Sequence, residues 1–514
     1  MKKILVILII LILPFLCLAQ NYFSYQYDIN NDAEAGWWIS KTGDKTAIFV
    51  GAKCNNNTTN CVEVLRLNEN SDLVWGLLLD TMDVVDLNSF VTTEESFYIA
   101  GVLSGQSRIG IKIQQFDWNG ELTNEIDLSD QFPVSTVNSL TMLDSSLLLT
   151  FNKRGDGEHL GITPDTTYYY FMDQDLNYQR HFTNTSGEYR FEVGTRLKKA
   201  ADNSGYYGLR WASHTTWPKP YYCDVLKFDS LGNVLWTYAA EYSTATRTPD
   251  FVATSDGGVV LSWHTVDWET VEPIDPEPSK IIKINTDGEK EWDHTFRSLY
   301  YKYVSTIFLA QNGDIIGVGA EDLDDFELIE GGAYGAGWLF RMSPTGEILW
   351  ERNIVDARFL NTIPYMALYH GLELDNGDLM VTGTIQDTFP EGSIFVNNPN
   401  TWLVRTNSMG CIHPDCGRID VITTSKELIL EAQESPFILY PSPASDFIHI
   451  LNKETNNIYP LKVTIYSSIG RLIKTTTLSS PHERMNIQTF PKGIYRIFLI
   501  DKNGHYYHQS FLKQ

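Results

Sequence analysis

The sequence predicts an all-β chain in which a seven-bladed β-propeller precedes a small immunoglobulin-like β-sandwich. Three observations lead to this prediction. A turn of the form Gly-x-x-x-Trp recurs along most of the chain, a second glycine turn recurs between its copies, and no stretch keeps the 3.6-residue period of a helix. Aromatic residues make up 13% of the 514 residues, which suits packed sheets rather than disorder.

The Gly-x-x-x-Trp turn has three strong copies, DSLGNVLW, NTDGEKEW and SPTGEILW, which end at Trp236, Trp292 and Trp350. Weaker copies carry Ser71, Gly120, Leu176 and Gly410 at the aligned glycine position. The copies are spaced by roughly 50 to 65 residues, which is the length of one stacked structural unit. Glycine permits a positive φ angle there, and we expect the tryptophans to act as interblade scaffold that fills the space between units.

The second turn, as in SDGGVVLSWHT, QNGDIIGVGAED and DNGDLMVTGTIQ, alternates with the first, so each unit contains four short strands. One such sheet buries its faces only against its neighbours, and this requirement predicts a closed ring. Six or eight blades are the alternatives to seven, and an open β-solenoid is the alternative architecture. The N-terminal stretch YFSYQYDINNDAEAGWWIS matches the segments that follow each tryptophan, so we expect both termini to build the last blade.

The chain begins with two lysines, an apolar run and a small-x-small sequence, Cys17-Leu18-Ala19, as in a secretory signal peptide. An uncleaved anchor is the alternative, but the run is shorter than the roughly 20 residues of a spanning helix. No transmembrane segment is expected after cleavage. The predicted ranges are 1–19 for the signal peptide, 20–418 for the propeller, 419–436 for a linker with room for one strand, and 437–514 for the sandwich.

The cysteines suit an exported protein. Cys54 and Cys61 flank one short polar stretch, and Cys411 and Cys416 flank another, so each pair is a disulfide candidate. A metal site is the alternative, but neither pair has the two-residue spacing of a zinc knuckle. Cys223 is left over and is expected to be a buried thiol.

The formal net charge of −25 excludes partners that are recognised through their phosphates. Nucleic acids and anionic membrane surfaces attract Lys and Arg, which are outnumbered here by 64 acidic to 39 basic residues. The simplest interpretation of the charge is solubility outside the cell.

No catalytic constellation is visible in the sequence. It lacks a Gly-x-Ser-x-Gly elbow, a His-Glu-x-x-His helix and a P-loop, so we assign no catalytic, cofactor-binding or metal residues. The acidic runs at 321–330 and 271–280 are interpreted as solvated loops; a calcium site or substrate groove is the alternative, and calcium is the one cofactor left open. Aromatic runs at 166–171, 214–222 and 297–303 suit core packing better than sugar stacking.

The tail carries YPSPASDFI, IYSSIGRLI, GIYRIFLI and a final FLKQ. These motifs resemble the type A C-terminal sorting domain of the type IX secretion system of Bacteroidetes-like bacteria, and the preceding propeller looks like those often found before such tails. Ser442 stands where the family usually has asparagine. The sorting motif of the resemblance falls on Tyr440, Pro441, Pro443, Gly470, Gly493 and Tyr495.

This resemblance implies export through the outer membrane, with the secretion translocon and a sorting protease as partners. It also implies removal of the tail, often with attachment to surface lipopolysaccharide. The expected location is therefore outside the cell or on the outer-membrane surface of a Gram-negative bacterium. A plain adhesive immunoglobulin-like domain is the alternative interpretation of the tail.

For the propeller, the leading hypothesis is a non-enzymatic module that binds an extracellular glycan or protein. The alternative is an extracellular, glycosidase-like hydrolase with carboxylates in the central funnel. A structural part of a surface layer is a third class.

Overall fold

The structure is a computed structural model. The residues that it describes are 22–28, 34–54, 59–69, 71–79, 82–83, 89–103, 110–132, 135–153, 166–185, 189–214, 221–240, 250–264, 279–297, 302–323, 334–356, 365–386, 399–413, 416–422, 426–429, 437–453, 459–467, 472–500 and 506–513. Every regular element in these ranges is a strand, which confirms the all-β prediction. None of them is a helix that could cross a membrane. The predicted signal peptide, 1–19, lies outside these ranges and stays a prediction.

In the part of the chain that the structure describes, thirty-one strands precede the tail. In chain order they are β1 (Phe23–Asp28), β2 (Glu34–Thr42), β3 (Lys45–Cys54), β4 (Thr59–Leu67), β5 (Leu73–Leu79), β6 (Met82–Asp83), β7 (Phe90–Thr92), β8 (Ser96–Leu103), β9 (Ile111–Asp117), β10 (Leu122–Asp127), β11 (Ser135–Leu143), β12 (Ser146–Lys153), β13 (Thr166–Met172), β14 (Tyr178–Thr185), β15 (Tyr189–Lys199), β16 (Tyr206–His214), β17 (Tyr221–Phe228), β18 (Val234–Ala239), β19 (Asp250–Ala253), β20 (Val259–His264), β21 (Ser279–Ile284), β22 (Lys290–Phe296), β23 (Lys302–Leu309), β24 (Ile315–Leu323), β25 (Tyr334–Met342), β26 (Ile348–Asp356), β27 (Tyr365–Glu373), β28 (Leu379–Gln386), β29 (Asn400–Thr406), β30 (Ile419–Ile422) and β31 (Lys426–Ile429).

In the described ranges these strands form seven sheets, each of which is one blade of a propeller. Neighbouring strands within a blade are antiparallel, except that the outermost strands β30 and β31 are added in parallel. Blades 1 to 6 begin at β2, β6, β11, β15, β19 and β23, and blade 7 begins at β27. The first strands of neighbouring blades contact one another all the way round, with β2 against β27 where the ring closes, so they are the innermost strands. In blade 2 the inner strand is divided into β6 and β7.

The last blade is built from both ends of the propeller chain, as the sequence predicts. β27, β28 and β29 supply its first three strands, and β1 pairs antiparallel with β29 as the fourth. An N-terminal strand therefore closes the ring of blades.

The turn after each third strand has the backbone that the repeat alignment predicts. The aligned residue has a positive φ in every copy, including Ser71 at 65° and Leu176 at 63°. Gly288 has a second reason to be glycine, because an added Cβ would lie 2.8 Å from the ring of Trp236. Gly346 meets Trp292 in the same way, so each tryptophan packs on the turn of the next blade.

The tryptophans also hydrogen-bond across the blade boundary. Trp236 Nε1 donates to the Thr286 carbonyl at 2.9 Å, and Trp292 Nε1 donates to the Pro344 carbonyl at 3.2 Å. Trp350 is buried and lies where an added Cβ on Gly410 would be. The side chains predicted as scaffold therefore join consecutive blades by packing, and two of them also by a hydrogen bond.

Six of the seven blades contain a second repeated signal, which was not predicted from the sequence. A basic residue on the third strand lies directly opposite the aromatic residue on the fourth. These pairs are Arg66 with Trp75, Lys227 with Trp236, Lys283 with Trp292 and Arg341 with Trp350. Blade 3 exchanges the two types, because Phe171 faces Arg180, whose guanidinium lies 4.1 Å from the phenyl centre. In blade 7, Arg405 faces Phe23 of β1.

In blades 4 to 7 the basic residue also pairs with a carboxylate in the turn between the first two strands, at Asp202, Asp256, Asp314 and Asp378. Lys283 Nζ lies 2.7 Å from Asp256, and Arg341 Nε lies 2.7 Å from Asp314. Burial alone would raise the pKa of Asp256, but hydrogen bonds from Lys283, Thr254 and the Gly258 amide outweigh it and hold the pKa at about 2.

Replacing Asp256 by asparagine is expected to lower the free energy of unfolding by about 1 kcal/mol at pH 7, after discounting for its exposed carboxylate. Since the folded pKa lies below that of an unfolded aspartate, this stabilisation is present above about pH 4 and is lost as pH falls towards 2. Urea titrations of both proteins at several pH values measure the difference. Asp287→Asn, the same substitution at an exposed position in the same blade, is the matched control.

Part of the segment 419–436, which the sequence predicts as a linker, belongs to the propeller. β30 pairs in parallel with β26 outside blade 6, and β31 pairs in parallel with β1 outside blade 7. Asp420 on β30 accepts hydrogen bonds from the Ile412 amide at 2.6 Å and pairs with His413 Nδ1 at 2.7 Å. The strands cover two outer sheet edges that would otherwise be open.

The cysteines are arranged as follows. Cys411 and Cys416 form a disulfide with Cα atoms 5.6 Å apart, just before β30. Cys61 is disulfide-bonded, while the side chain of its predicted partner Cys54 lies outside the described residues. Cys223 is a free, buried thiol, and burial raises its pKa.

The tail forms a seven-stranded β-sandwich. Its strands are β32 (Phe437–Tyr440), β33 (Phe447–Asn452), β34 (Leu461–Ser467), β35 (Leu472–Leu478), β36 (His482–Asn486), β37 (Gly493–Ile500) and β38 (Tyr506–Lys513). One sheet has the order β32-β33-β36 and the other β35-β34-β37-β38. Ile448 and Ile450 of the first sheet share one apolar cluster with Val463 and Ile497 of the second, as the alternating pattern predicts.

Candidate functional site

The two ends of the propeller differ in how its strands are connected. Because neighbouring strands are antiparallel, the turns from first to second and from third to fourth strand share one end, called here the hairpin end. The connections from second to third strand and from one blade to the next lie at the other end, the loop end. The connections 154–165, 265–278, 324–333 and 387–398 all belong to the loop end and lie outside the described residues.

The innermost strands carry a set of equivalent side chains around the axis, called here the axial ring. A β-bulge precedes this position in several blades, for example between Leu368 and His370, and it turns the side chain relative to the strand. In six blades the members of the axial ring are Trp38, Ser89, Ser139, Asp250, Thr306 and His370.

Asp250 is the carboxylate of the axial ring, and it is 3% exposed. One oxygen accepts a hydrogen bond from the Ile307 amide of blade 6 at 2.8 Å, and the other accepts one from its neighbour Phe251 at 2.7 Å. Both oxygens are therefore bound by backbone amides. A carboxylate held in this way joins two blades, and it is poorly placed to attack a substrate or to transfer a proton.

Thr306 and His370 make similar bonds at the next two blade boundaries. Thr306 Oγ1 donates to the Tyr369 carbonyl at 3.0 Å. His370 Nδ1 accepts from the Ile39 amide at 3.4 Å, and its ring stacks on Trp38 with centres 3.5 Å apart. His370 therefore joins blade 7 to blade 1, where the propeller closes. The described contacts of Asp250, Thr306 and His370 all connect neighbouring blades.

The acidic run 321–330 starts inside a buried ionic cluster. Lys302 Nζ lies 3.3 Å from Glu321 and 2.7 Å from Glu351. Glu321 also accepts from Asn353 Nδ2 at 2.8 Å and pairs with Arg418 at 3.1 Å. Two cations, Lys302 and Arg418, therefore already pair with this carboxylate.

The other sequence candidates fall into two groups. Residues 324–330 and 271–278 lie outside the described residues, so the alternatives stated for those acidic runs stay open. In the described ranges, no cluster of three or more His, Cys, Asp or Glu side chains is found. Tyr169, Phe171 and Tyr303 are buried, which supports core packing for those aromatic residues.

A further buried carboxyl lies at the closing seam. Glu63 lies on the same face of β4 as Leu65, which packs in a cluster with Tyr27 and Leu403 of blade 7. Burial raises the pKa of Glu63 well above the usual range of a glutamate. Its position within the sheet, away from the axial ring, makes it part of the packing.

In the tail, three of the sorting-motif residues lie at the β32 edge of the sandwich and two lie on β37 of the other sheet. Tyr440 ends β32 and is followed by exposed Pro441 and Pro443. Gly493 begins β37, and Tyr495 is buried with its hydroxyl donating to the Pro491 carbonyl at 2.6 Å. The remaining motif residue, Gly470, lies outside the described residues.

The YPSPAS segment is fastened to the C-terminal strand. Ser442 Oγ accepts a hydrogen bond from the Leu512 amide at 3.2 Å, and the Ala444 amide donates to the Leu512 carbonyl at 2.7 Å. The serine that replaces the usual asparagine thus has a side-chain oxygen in a bonding position. Two motifs that are about 70 residues apart in sequence meet here, because both belong to one sandwich edge.

Comparison with known families agrees with this geometry. Residues 438–513 match the family described as "Secretion system C-terminal sorting domain". This segment is a type IX sorting domain. The protein is therefore one that is secreted or displayed at the cell surface of a member of the Bacteroidetes. No curated protein matches the chain significantly.

Solved structures that resemble the chain include several β-propellers. The extracellular domain of a putative hybrid two component system from B. thetaiotaomicron has a TM-score of 0.42 and 9% identity; the match covers 96% of this chain and 57% of that one. The β-propeller domain of the Trilobed protease from Pyrococcus furiosus has a TM-score of 0.39 and 10% identity, with 72% and 95% covered. An α-L-arabinanase from Penicillium chrysogenum has a TM-score of 0.38 and 10% identity; the match covers 56% of this chain and 88% of that one.

Proposed function

We propose that the propeller is a non-enzymatic binding or adhesion module, and that the sorting domain delivers it to the outside of the cell. The ligand would be an extracellular glycan or protein, bound at the loop end. The sorting domain indicates export from the cell, and the activity of the propeller is the part that we propose.

The observation that carries the proposal is the contrast between the two ends of the ring. At the hairpin end, the turns repeat one backbone geometry and are occupied by the scaffold contacts of Trp236, Trp292 and their equivalents. The loop-end connections differ from blade to blade in length and sequence; HTTWPKPYY and TVDWETVEPIDPEP are two of them. Recognition surfaces are commonly formed by such variable loops on a rigid scaffold.

The described residues of the axial ring support the alternative function, a hydrolase, less well. A glycosidase needs two carboxyl groups that can reach the scissile bond, one of them able to donate a proton. Among the described members of the axial ring, Asp250 is the carboxylate, and backbone amides bind both its oxygens. The contacts of Asp250 join blades, which favours binding by the loops over catalysis at the axis.

Replacing the loop-end connection 265–278 by a Gly/Ser linker of equal length tests this proposal. Glycan arrays and pull-down assays with purified chain should show a ligand whose binding falls at least tenfold in the variant. The matched control exchanges the hairpin-end turn 285–289 for the sequence of 229–233, which keeps the same backbone and should leave binding unchanged.

A panel of glycosidase substrates, assayed in parallel, decides between the two functions. The binding proposal predicts no turnover. Turnover that disappears in Asp250→Asn, with the thermal unfolding midpoint of that variant near the wild-type value, would establish the hydrolase instead. Binding that survives the loop replacement would place the ligand elsewhere and contradict the proposal.

A further inference from the structure

The exposed face of the three-stranded sheet in the sorting domain brings two histidines and a tyrosine together. Tyr440 on β32 lies directly opposite His449 on β33, and His482 lies diagonally across on β36. His449 Nδ1 is 3.2 Å from His482 Nε2, and the Tyr440 hydroxyl is 3.0 Å from the same Nε2. Three donor atoms from three strands thus converge.

The sheet itself holds these three side chains in place. The rings of Tyr440 and His449 stack with centres 5.0 Å apart and an angle of 12°. The neighbouring residues Ile448, Ile450 and Met485 point into the core on the other face. The three donors therefore lie on a rigid support, while Tyr440 and His482 remain exposed to solvent.

The distance between the two imidazole nitrogens matches that of two histidine ligands on one metal ion. Zinc–nitrogen bonds of about 2.0–2.1 Å place two histidine nitrogens about 2.9–3.4 Å apart, for angles at the metal between 90° and 110°. The two nitrogens here are 3.2 Å apart. We propose that His449 and His482 form a surface site for a divalent transition cation such as Zn²⁺ or Cu²⁺, with the Tyr440 oxygen and water completing the shell.

The surrounding charges decide which cations fit. Arg484 lies opposite His449 on the next strand, but its guanidinium is 3.3 Å from the ring centre of Phe447 and is stacked there. Glu483 is occupied by the amides of Ser479 and Ser480 at 2.7 and 3.1 Å. Without a carboxylate ligand among the described neighbours, Ca²⁺ and Mg²⁺ have little to bind, whereas imidazole suits Zn²⁺, Cu²⁺ and Ni²⁺.

Calorimetric titration of the untagged full chain with Zn²⁺ and with Cu²⁺ at pH 7.5 tests the proposal. His449→Gln and His482→Gln should each weaken binding by at least about tenfold, because each removes a direct ligand and even the loss of an outer partner costs that much. Tyr440→Phe should have a smaller effect. Binding should also weaken at pH 5, since imidazole must be neutral to bind a metal.

His181→Gln is the matched control. His181 is an exposed histidine that also pairs with a tyrosine, with its Nδ1 3.0 Å from the Tyr178 hydroxyl, but in the described residues it has no second imidazole beside it. The control should bind as the wild type does. Metal-free thermal unfolding of every variant separates a lost ligand from a lost fold.

Two results would overturn the proposal. One is a wild-type chain that binds neither Zn²⁺ nor Cu²⁺ at 100 μM or below, on the order of the concentration at which a two-imidazole site should fill. The other is a His449→Gln, His482→Gln double variant that folds and binds with wild-type affinity, which would place the metal elsewhere. Equal binding of Ca²⁺ would argue against imidazole ligands.

Discussion

Replacing Lys302 by methionine is expected to lower the free energy of unfolding by about 3–5 kcal/mol. The ammonium group is 3% exposed and lies between Glu321 and Glu351, whose oxygens are 3.3 and 2.7 Å away. It also lies 4.2 Å from the ring centre of Trp338. Methionine keeps most of the volume but removes the charge, so two carboxylates are left with one fewer cation in a poorly solvated site.

Urea unfolding at pH 7 measures this effect, and Lys41→Met is the matched control. Lys41 forms an ion pair of similar length with Asp375 at 3.2 Å, but that aspartate is 96% exposed. An exposed pair of this kind contributes about 0–1 kcal/mol. If the two substitutions lower the free energy of unfolding by the same amount, burial does not strengthen the Lys302 ion pairs. That result would contradict the prediction.

This cluster also shows where the sequence is informative and where it is not. The run EDLDDFELIE reads as an acidic loop, yet Glu321 lies within strand β24 and pairs with Lys302 and with Arg418, which is 97 residues away. A local pattern contains no information about a partner brought close by ring closure. Strand pairing between distant segments is the step that single-sequence patterns cannot supply.

The blade repeat could be predicted because its physical cause is local. A turn needs a residue that accepts positive φ, and the alignment found that position even where Ser71 and Leu176 replace glycine. A basic residue nine positions before the tryptophan, as in Lys283 and Trp292, repeats in the same way and could also have been predicted from the sequence.

The outer strands could not be predicted in the same way. IDVITTSKELILEA has no partner signal in its own sequence, and β30 and β31 add in parallel to edges formed hundreds of residues earlier or by another blade. For the same reason the His449–His482 pair is invisible in sequence, because the two residues lie on strands that meet only in the folded sandwich.

Removing residues 437–514 is expected to abolish delivery to the cell surface and to leave the chain in the periplasm. The sandwich has its own core, with Ile448, Val463 and Ile497 in one cluster, so the deletion removes a complete folding unit. The propeller keeps its ring, because β1, β30 and β31 all precede the cut. Fractionation of expressing cells, with protease treatment of intact cells, measures the location.

The control must show that the truncated chain still folds, since a misfolded propeller would also fail to reach the surface. Its unfolding midpoint should stay close to that of the full chain's propeller transition.

A milder variant, Ser442→Ala, removes the oxygen that accepts a hydrogen bond from the Leu512 amide. It should lower the free energy of unfolding of the sandwich alone by about 1 kcal/mol. A folded truncated chain that still becomes accessible to protease outside the cell would show that export does not depend on the tail.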